Sequence, residues 1–199
     1  MKKIFILAGI LVFTGLVVSA DELLVNGDFS DGLIGWTYYS KFDEMPSSGV
    51  TARDGQAYHE NNSGVWQRNF GIYQIVQVEE GRKYRVQGIW KGKLNTLNEG
   101  WTTIMLYCVE DPEDIDEIKA RMETALGPYM VARYEEDSLN GSFGPETFND
   151  SIGTPDEDDG FIGADWIEAV TPYIVVGTKL GGDPGGWMAL DAIVLDIVD

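Results

Sequence analysis

Alternation of apolar and polar positions marks the middle of this chain. In RKYRVQGIWKGK, from Arg82 to Lys93, Tyr84, Val86, Gly88 and Trp90 fall on one side of an extended backbone. Arg85, Gln87, Ile89 and Lys91 fall on the other, the period-two pattern of a strand with one buried face. The preceding stretch, VWQRNFGIYQIVQVEEG from Val65, mixes β-branched and aromatic residues and stops at a Glu-Glu-Gly turn signal. Three more apolar runs read as strands: WTTIMLYCV from Trp101, PYIVVGTKL from Pro172 and WMALDAIVLDIV from Trp187. Gly, Asn and Asp clusters lie between them. Several strands at this spacing predict an all-β, two-sheet antiparallel sandwich.

One segment has a helical period instead. Asp111 is predicted to cap a helix that has Pro112 in its first position, with Glu113 and Asp114 suited to the positive end of the helix dipole. Ile115, Ile118, Met122 and Leu126 share one face, and Gly127-Pro128 ends the run. This predicts a helical insertion over 111–127, packed over one sheet edge. Residues 135–165 are polar and rich in Gly, Asp and Asn, and read as a long acidic loop with room for one short strand.

The first twenty residues read as a leader. Lys2 and Lys3 precede an apolar run from Ile4 to Val18, and Val18-Ser19-Ala20 makes a small-residue cleavage site followed at once by Asp21 and Glu22. The run is short for a membrane span, and no cysteine stands at the cleavage point to carry a lipid. The expectation is a signal peptide over 1–20 and a single domain over 21–199, secreted to an extracellular or periplasmic space without membrane insertion.

Charge narrows the partners. The chain has 14 Lys and Arg against 33 Asp and Glu, a net charge of −19; without Lys2 and Lys3 the balance is 12 against 33, or −21. Such a chain repels nucleic acid and anionic membrane surfaces, and suits a neutral polymer or a cation such as Ca²⁺, with plain solubility the bland alternative. The single Cys108 excludes an intrachain disulfide and lies in an apolar run, as a small hydrophobe would.

Little catalytic chemistry is legible, and no catalytic residue is assigned. His59 is the only histidine, which removes His-rich zinc sites, and its setting in QAYHENNSG reads as a solvated loop. With 33 acids, carboxylate pairs arise by chance, and Asp156 to Asp159 lack EF-hand spacing. Six tryptophans and nine tyrosines are the more informative feature. Aromatic faces stack on the apolar faces of sugar rings while polar groups bind hydroxyls. Trp90 shares its face with Tyr84 and Val86 and belongs to the core. Trp66, Trp101 and Trp187, beside glycines or at strand starts, suit loop-edge platforms, with Trp166 a further candidate. Arg85, Gln87 and Lys91 are polar groups that could line a sheet surface.

The stretch LLVNGDFSDGLIGW, from Leu23 to Trp36, resembles the opening of carbohydrate-binding modules of the family 4, 9, 16 and 22 type, which are jelly rolls with a galactose-binding-like fold. Asn26-Gly27-Asp28-Phe29 and Gly35-Trp36 carry the likeness. Gln74-Ile75-Val76, then Glu80-Gly81-Arg82-Lys83-Tyr84, and finally Leu190-Asp191-Ala192-Ile193 continue it across almost the whole of 21–199. The resemblance implies a jelly roll in which Phe29 plugs one end of the sandwich, Trp36 is core, and Asp28 faces the last strand near Asp191. It also implies a structural Ca²⁺ tying that turn to the strand through Asp28 and Asp191. Ser30 stands where the family has Glu, leaving Asp31 as the replacement carboxylate. The helix and the acidic loop are departures from the family, placed where they could cover its glycan cleft. The function implied is a non-catalytic domain that recognises a polysaccharide or surface glycan by stacking and polar contacts. A structural or adhesive cell-surface protein without a sugar ligand, and a glycoside hydrolase or polysaccharide lyase, are the alternatives.

Overall fold

A computed structural model describes residues 23–41, 48–62, 68–94, 100–124, 129–134, 138–143, 166–182 and 185–198. The expected leader over 1–20, Trp66, Leu126 and the acidic run Asp156 to Asp159 lie outside the described residues. Among the described residues no helix is long and apolar enough to cross a membrane.

The alternating stretch at Arg82 is strand β5 (Lys83–Lys93), and Tyr84, Val86 and Trp90 are buried as their spacing predicts. The other strands are β1 (Thr37–Ser40), β2 (Ser48–Arg53), β3 (Gln56–Asn61), β4 (Arg68–Gln77), β6 (Trp101–Val109), β7 (Tyr129–Tyr134), β8 (Ser138–Phe143), β9 (Ile167–Glu168), β10 (Tyr173–Gly182) and β11 (Trp187–Val198). They form two antiparallel sheets. One has five strands in the order β1-β4-β10-β6-β7; the other has six, in the order β2-β3-β11-β5-β8 with β9 pairing β5. This is the predicted two-sheet jelly-roll sandwich. The main core lies between the sheets, where Ile72, Ile104, Leu106, Ile174 and Val176 of one meet Val86, Trp90, Leu190 and Leu195 of the other.

The unbroken apolar runs in β6 and β10 have a separate cause. Their outward faces are covered too. Helix α1 (Ile115–Thr124) connects β6 towards β7 and lies on the outer face of the five-stranded sheet, where Ile118 and Met122 join Tyr39, Tyr73, Met105, Tyr107, Val109 and Val175 in a second core. A strand buried on both faces loses its alternation. Gly177 on β10 permits the contact, since a Cβ there would stand 2.6 Å from the Met122 sulfur. The helix thus covers a face, not the sheet edge expected from sequence. It also begins later than expected. The Asp114 carboxylate accepts from the Glu117 amide at 2.9 Å and caps the helix, while Asp111 caps the preceding turn through the Glu113 amide at 2.8 Å.

One segment read as a loop contains a strand, and the long acidic segment holds the one short strand it had room for. QAYHEN is β3, joined to β2 by Asp54-Gly55, both with positive φ (53° and 71°), the backbone of a two-residue hairpin turn. His59 is therefore fully buried between the sheets and not solvated, with Nε2 3.0 Å from Thr178 Oγ1. Within 135–165, β8 pairs with β5 and buries Phe143 against Trp90, ring centroids 5.4 Å apart.

Candidate functional site on the outer face of the six-stranded sheet

The opening turn is a latch built from backbone. Val25 exchanges two hydrogen bonds with the Gln74 side-chain amide, which donates to the Val25 carbonyl at 2.9 Å and accepts from its amide at 2.7 Å. Gln74 thereby acts as a short extra strand partner. The Gly27 carbonyl accepts from the Ile193 amide at 2.8 Å. That bond is available because β11 carries one extra residue between Asp191 and Val194, a bulge that includes Ala192 at φ 49°. A Cβ on Gly27 would lie 2.0 Å from the Ile193 carbonyl oxygen, so only glycine fits. Phe29 is buried, tilted against Trp36 at 5.4 Å, and Trp36 Nε1 donates to the Asn26 carbonyl, as the plug-and-core expectation requires.

The carboxylates of this region are engaged locally. The exposed Asp28 is turned back on its own loop, with Oδ1 accepting from the Ser30 amide at 3.2 Å and the Ser30 hydroxyl at 3.0 Å. Asp31 is exposed, its amide held by Asn26 Oδ1, and Asp191 accepts from Gln56 Nε2 at 3.4 Å. Among the described residues no three His, Cys, Asp or Glu side chains gather as a group able to hold a metal ion. Asp28 and Asp191, the carboxylates that the resemblance implies as ligands beside backbone carbonyls, are engaged by Ser30 and Gln56. The Gly27–Ile193 backbone bond makes the tie between turn and strand.

The outer face of the six-stranded sheet gathers more of the expected residues. Arg85, Gln87 and Lys91 all project from β5 on the side opposite Tyr84, Val86 and Trp90. Arg85 and Gln87 share the Asp196 carboxylate of β11, at 3.4 and 2.7 Å. Lys91 is exposed, opposite Ala189 of β11, and Lys93 stands opposite Trp187. Trp187 is half-buried and stacks on Tyr58 of β3, with ring centroids 5.3 Å apart and planes 13° from parallel. The Arg53 guanidinium of β2 sits 4.3 Å from the Tyr58 ring centroid and pairs with Glu60 at 3.1 Å. A stacked aromatic pair contributes about 0.5–1.5 kcal/mol and a cation over a ring about 0.5–1 kcal/mol, so Arg53, Tyr58 and Trp187 hold one another in place. Partial burial, then the Glu60 carboxylate, raises the Tyr58 phenol above its ordinary pKa, keeping it a neutral hydrogen-bonding group.

Arg53, Tyr58 and Glu60 are not among the residues expected from sequence, because QAYHEN reads there as a loop. The Asp54-Gly55 pair between alternating segments was the available signal. Trp101 belongs elsewhere. It begins β6 in the other sheet, half-buried, with the Lys179 ammonium 5.4 Å from its ring. Lys179 itself is buried and donates to the Met122 carbonyl near the end of α1, where helix carbonyls lack partners. Trp166 lies at the far end of the six-stranded sheet, with the Lys83 ammonium 3.9 Å from its ring centroid.

Two antiparallel sheets with an aromatic and polar outer face define a β-sandwich of the type found among carbohydrate-binding modules. TmCBM61, solved in complex with β-1,4-galactotriose, is 14% identical to this chain over 88% of it and 98% of that chain, with a TM-score of 0.50. A CBM4 structure is 14% identical over 88% of this chain and 99% of that chain, at TM-score 0.47. The enzymatically active domain of tailspike protein 4 from bacteriophage CBA120 is 10% identical over 88% of this chain at TM-score 0.52, and this chain matches 21% of that one. No protein-family model and no curated protein matches the sequence. At these identities the likeness is one of fold.

Proposed function

We propose that this protein is a secreted, non-catalytic carbohydrate-binding module that holds a polysaccharide on the outer face of its six-stranded sheet. The observation that carries this reading is the stacked Tyr58–Trp187 pair, half exposed among Gln56, Glu60, Asp191 and Lys91. Tyr58 takes up one face of the Trp187 ring system and is itself covered by Arg53, and a sugar ring would stack against the remaining Trp187 surface. Carboxylate, amide and ammonium groups around it supply acceptors and donors for hydroxyls. The fold shared with TmCBM61, a galactotriose binder, supports the same reading. Burial of the other sheet under α1 directs attention to this face.

Affinity electrophoresis in gels containing soluble polysaccharides tests the proposal. Trp187→Ala is expected to weaken retardation by about tenfold, the loss of one aromatic stacking contact. Trp101→Ala, on the other sheet, is expected to leave it unchanged. Equal effects of the two, or release of reducing ends from the polysaccharide, would overturn the reading.

A further inference from the structure

We infer that the sheet face around Trp187 selects acidic glycans, sugars bearing carboxylate or sulfate groups, an inference that rests on the glycan-binding reading above. The chain as a whole carries −19, which argues for neutral partners. Charge on this face is arranged otherwise. β5 alone places Lys83, Arg85, Lys91 and Lys93 on its outward side, four of the twelve basic residues that follow the leader.

Their partners separate them into two groups. At one end Lys83 is taken up by the Trp166 ring and Arg85 by Asp196. On the β2–β3 hairpin Arg53 is neutralised by Glu60. Lys91 and Lys93 are exposed, and among the described residues neither pairs with a carboxylate. They lie side by side on β5, and the strand register puts Lys93 against Trp187, and Lys91 against Ala189, whose other neighbour is Tyr58. Two unpaired ammonium groups thus flank an aromatic platform over the small side chain of Ala189. Ion pairing between exposed charges is a contact effect, because salt screens beyond about 8 Å at physiological ionic strength. Of the described acids beside the platform, Glu60 is paired with Arg53 and Asp191 is engaged by Gln56, so the local pair of lysines decides which glycan is held. The outward row from Lys83 to Lys93 is about 33 Å long by strand rise, so an extended polymer can lie along it.

Titration calorimetry with the whole protein against four probes tests this: neutral β-1,4-galactan, neutral xylan, polygalacturonate and κ-carrageenan. The expected result is binding to polygalacturonate or κ-carrageenan about tenfold tighter than to either neutral polymer at low salt, with the advantage shrinking as NaCl is added. The anionic polymer held more tightly identifies carboxylate or sulfate as the recognised group. Lys91→Gln/Lys93→Gln should abolish the preference for the anionic polymers while keeping the melting temperature. Trp187→Ala should weaken all four. Binding to neutral polymers with no acidic preference, or a preference that survives the double lysine variant, overturns this inference and leaves the glycan reading standing. Binding to none of the four overturns both.

Discussion

At Phe29 a bulky side chain is held at φ 53°, a backbone region that costs a non-glycine residue about 1–2 kcal/mol. Its ring is almost wholly buried, and full burial of a phenylalanine contributes about 1.5–3 kcal/mol, so packing offsets the strain. Phe29→Ala should lose the compensation and keep part of the cost, with a destabilisation of about 3–5 kcal/mol in urea unfolding. His59 is the other residue whose surroundings set its behaviour. Burial pushes its pKa down to about 3, so the folded protein holds it neutral. An imidazole with a depressed folded-state pKa contributes fully above the unfolded value near 6.5. That contribution is lost as pH falls from there towards 3. Between pH 7 and pH 4 the wild type should therefore lose more melting temperature than His59→Gln, which keeps a polar group for Thr178 but cannot take up a proton. Parallel melting curves would contradict this.

Among the elements, α1 changes the surface most. It fills the outer face of the five-stranded sheet with Ile118 and Met122, and Gly177 is where the Met122 side chain presses on the β10 backbone. Gly177→Val should push Met122 outward and cost about 1–3 kcal/mol, with faster hydrogen exchange confined to α1 and the β10 face below it. The strands that alternate, β5 above all, were legible in sequence because one face is wet. β6 and β10 were legible as strands, but their second burial was not, because an apolar run does not say what covers it. The helix was found from its period, yet its start was misplaced by three residues, since Asp111 and Asp114 are both good caps and only the fold chooses between them. β3 was missed because its inward face carries His59 and Asn61. His59 Nε2 and Asn61 Nδ2 find their partners across the sandwich, at Thr178 and the Gly182 carbonyl, a pairing that arises only in three dimensions. Of the binding candidates, Arg85, Gln87, Lys91 and Trp187 share one face, because a period of two assigns a side and β11 happens to lie beside β5. Trp101 was separated from them by sheet membership, which local sequence does not encode.

On the scale of the whole molecule, the opening segment, β4 and β11 are joined by Gln74 and Gly27, which link both sheets at one end. Gln74→Ala should remove two hydrogen bonds to Val25 and cost about 1–3 kcal/mol, with Gln74→Glu a partial rescue only at the acceptor side. Adding a chelator should leave the melting temperature unchanged, since the Asp28 carboxylate is already engaged by Ser30; a fall of several degrees would show that an ion shares the task.

The order of strands also bears on how the molecule is made. β10 stands between β4 and β6, and β11 between β3 and β5, so the two latest described strands are the middle strands of the two sheets. Neither sheet can close while a ribosome or a translocation pore still holds residues 173–198. Until then the earlier hairpins have empty central slots and an unfinished core, and pairing across such sequence distances is slow. Threading in an unfolded form is therefore the default for this topology, and folding is deferred to the far side of the membrane if the leader at 1–20 directs export. A chain rearranged to begin at β10 should instead collapse early and jam.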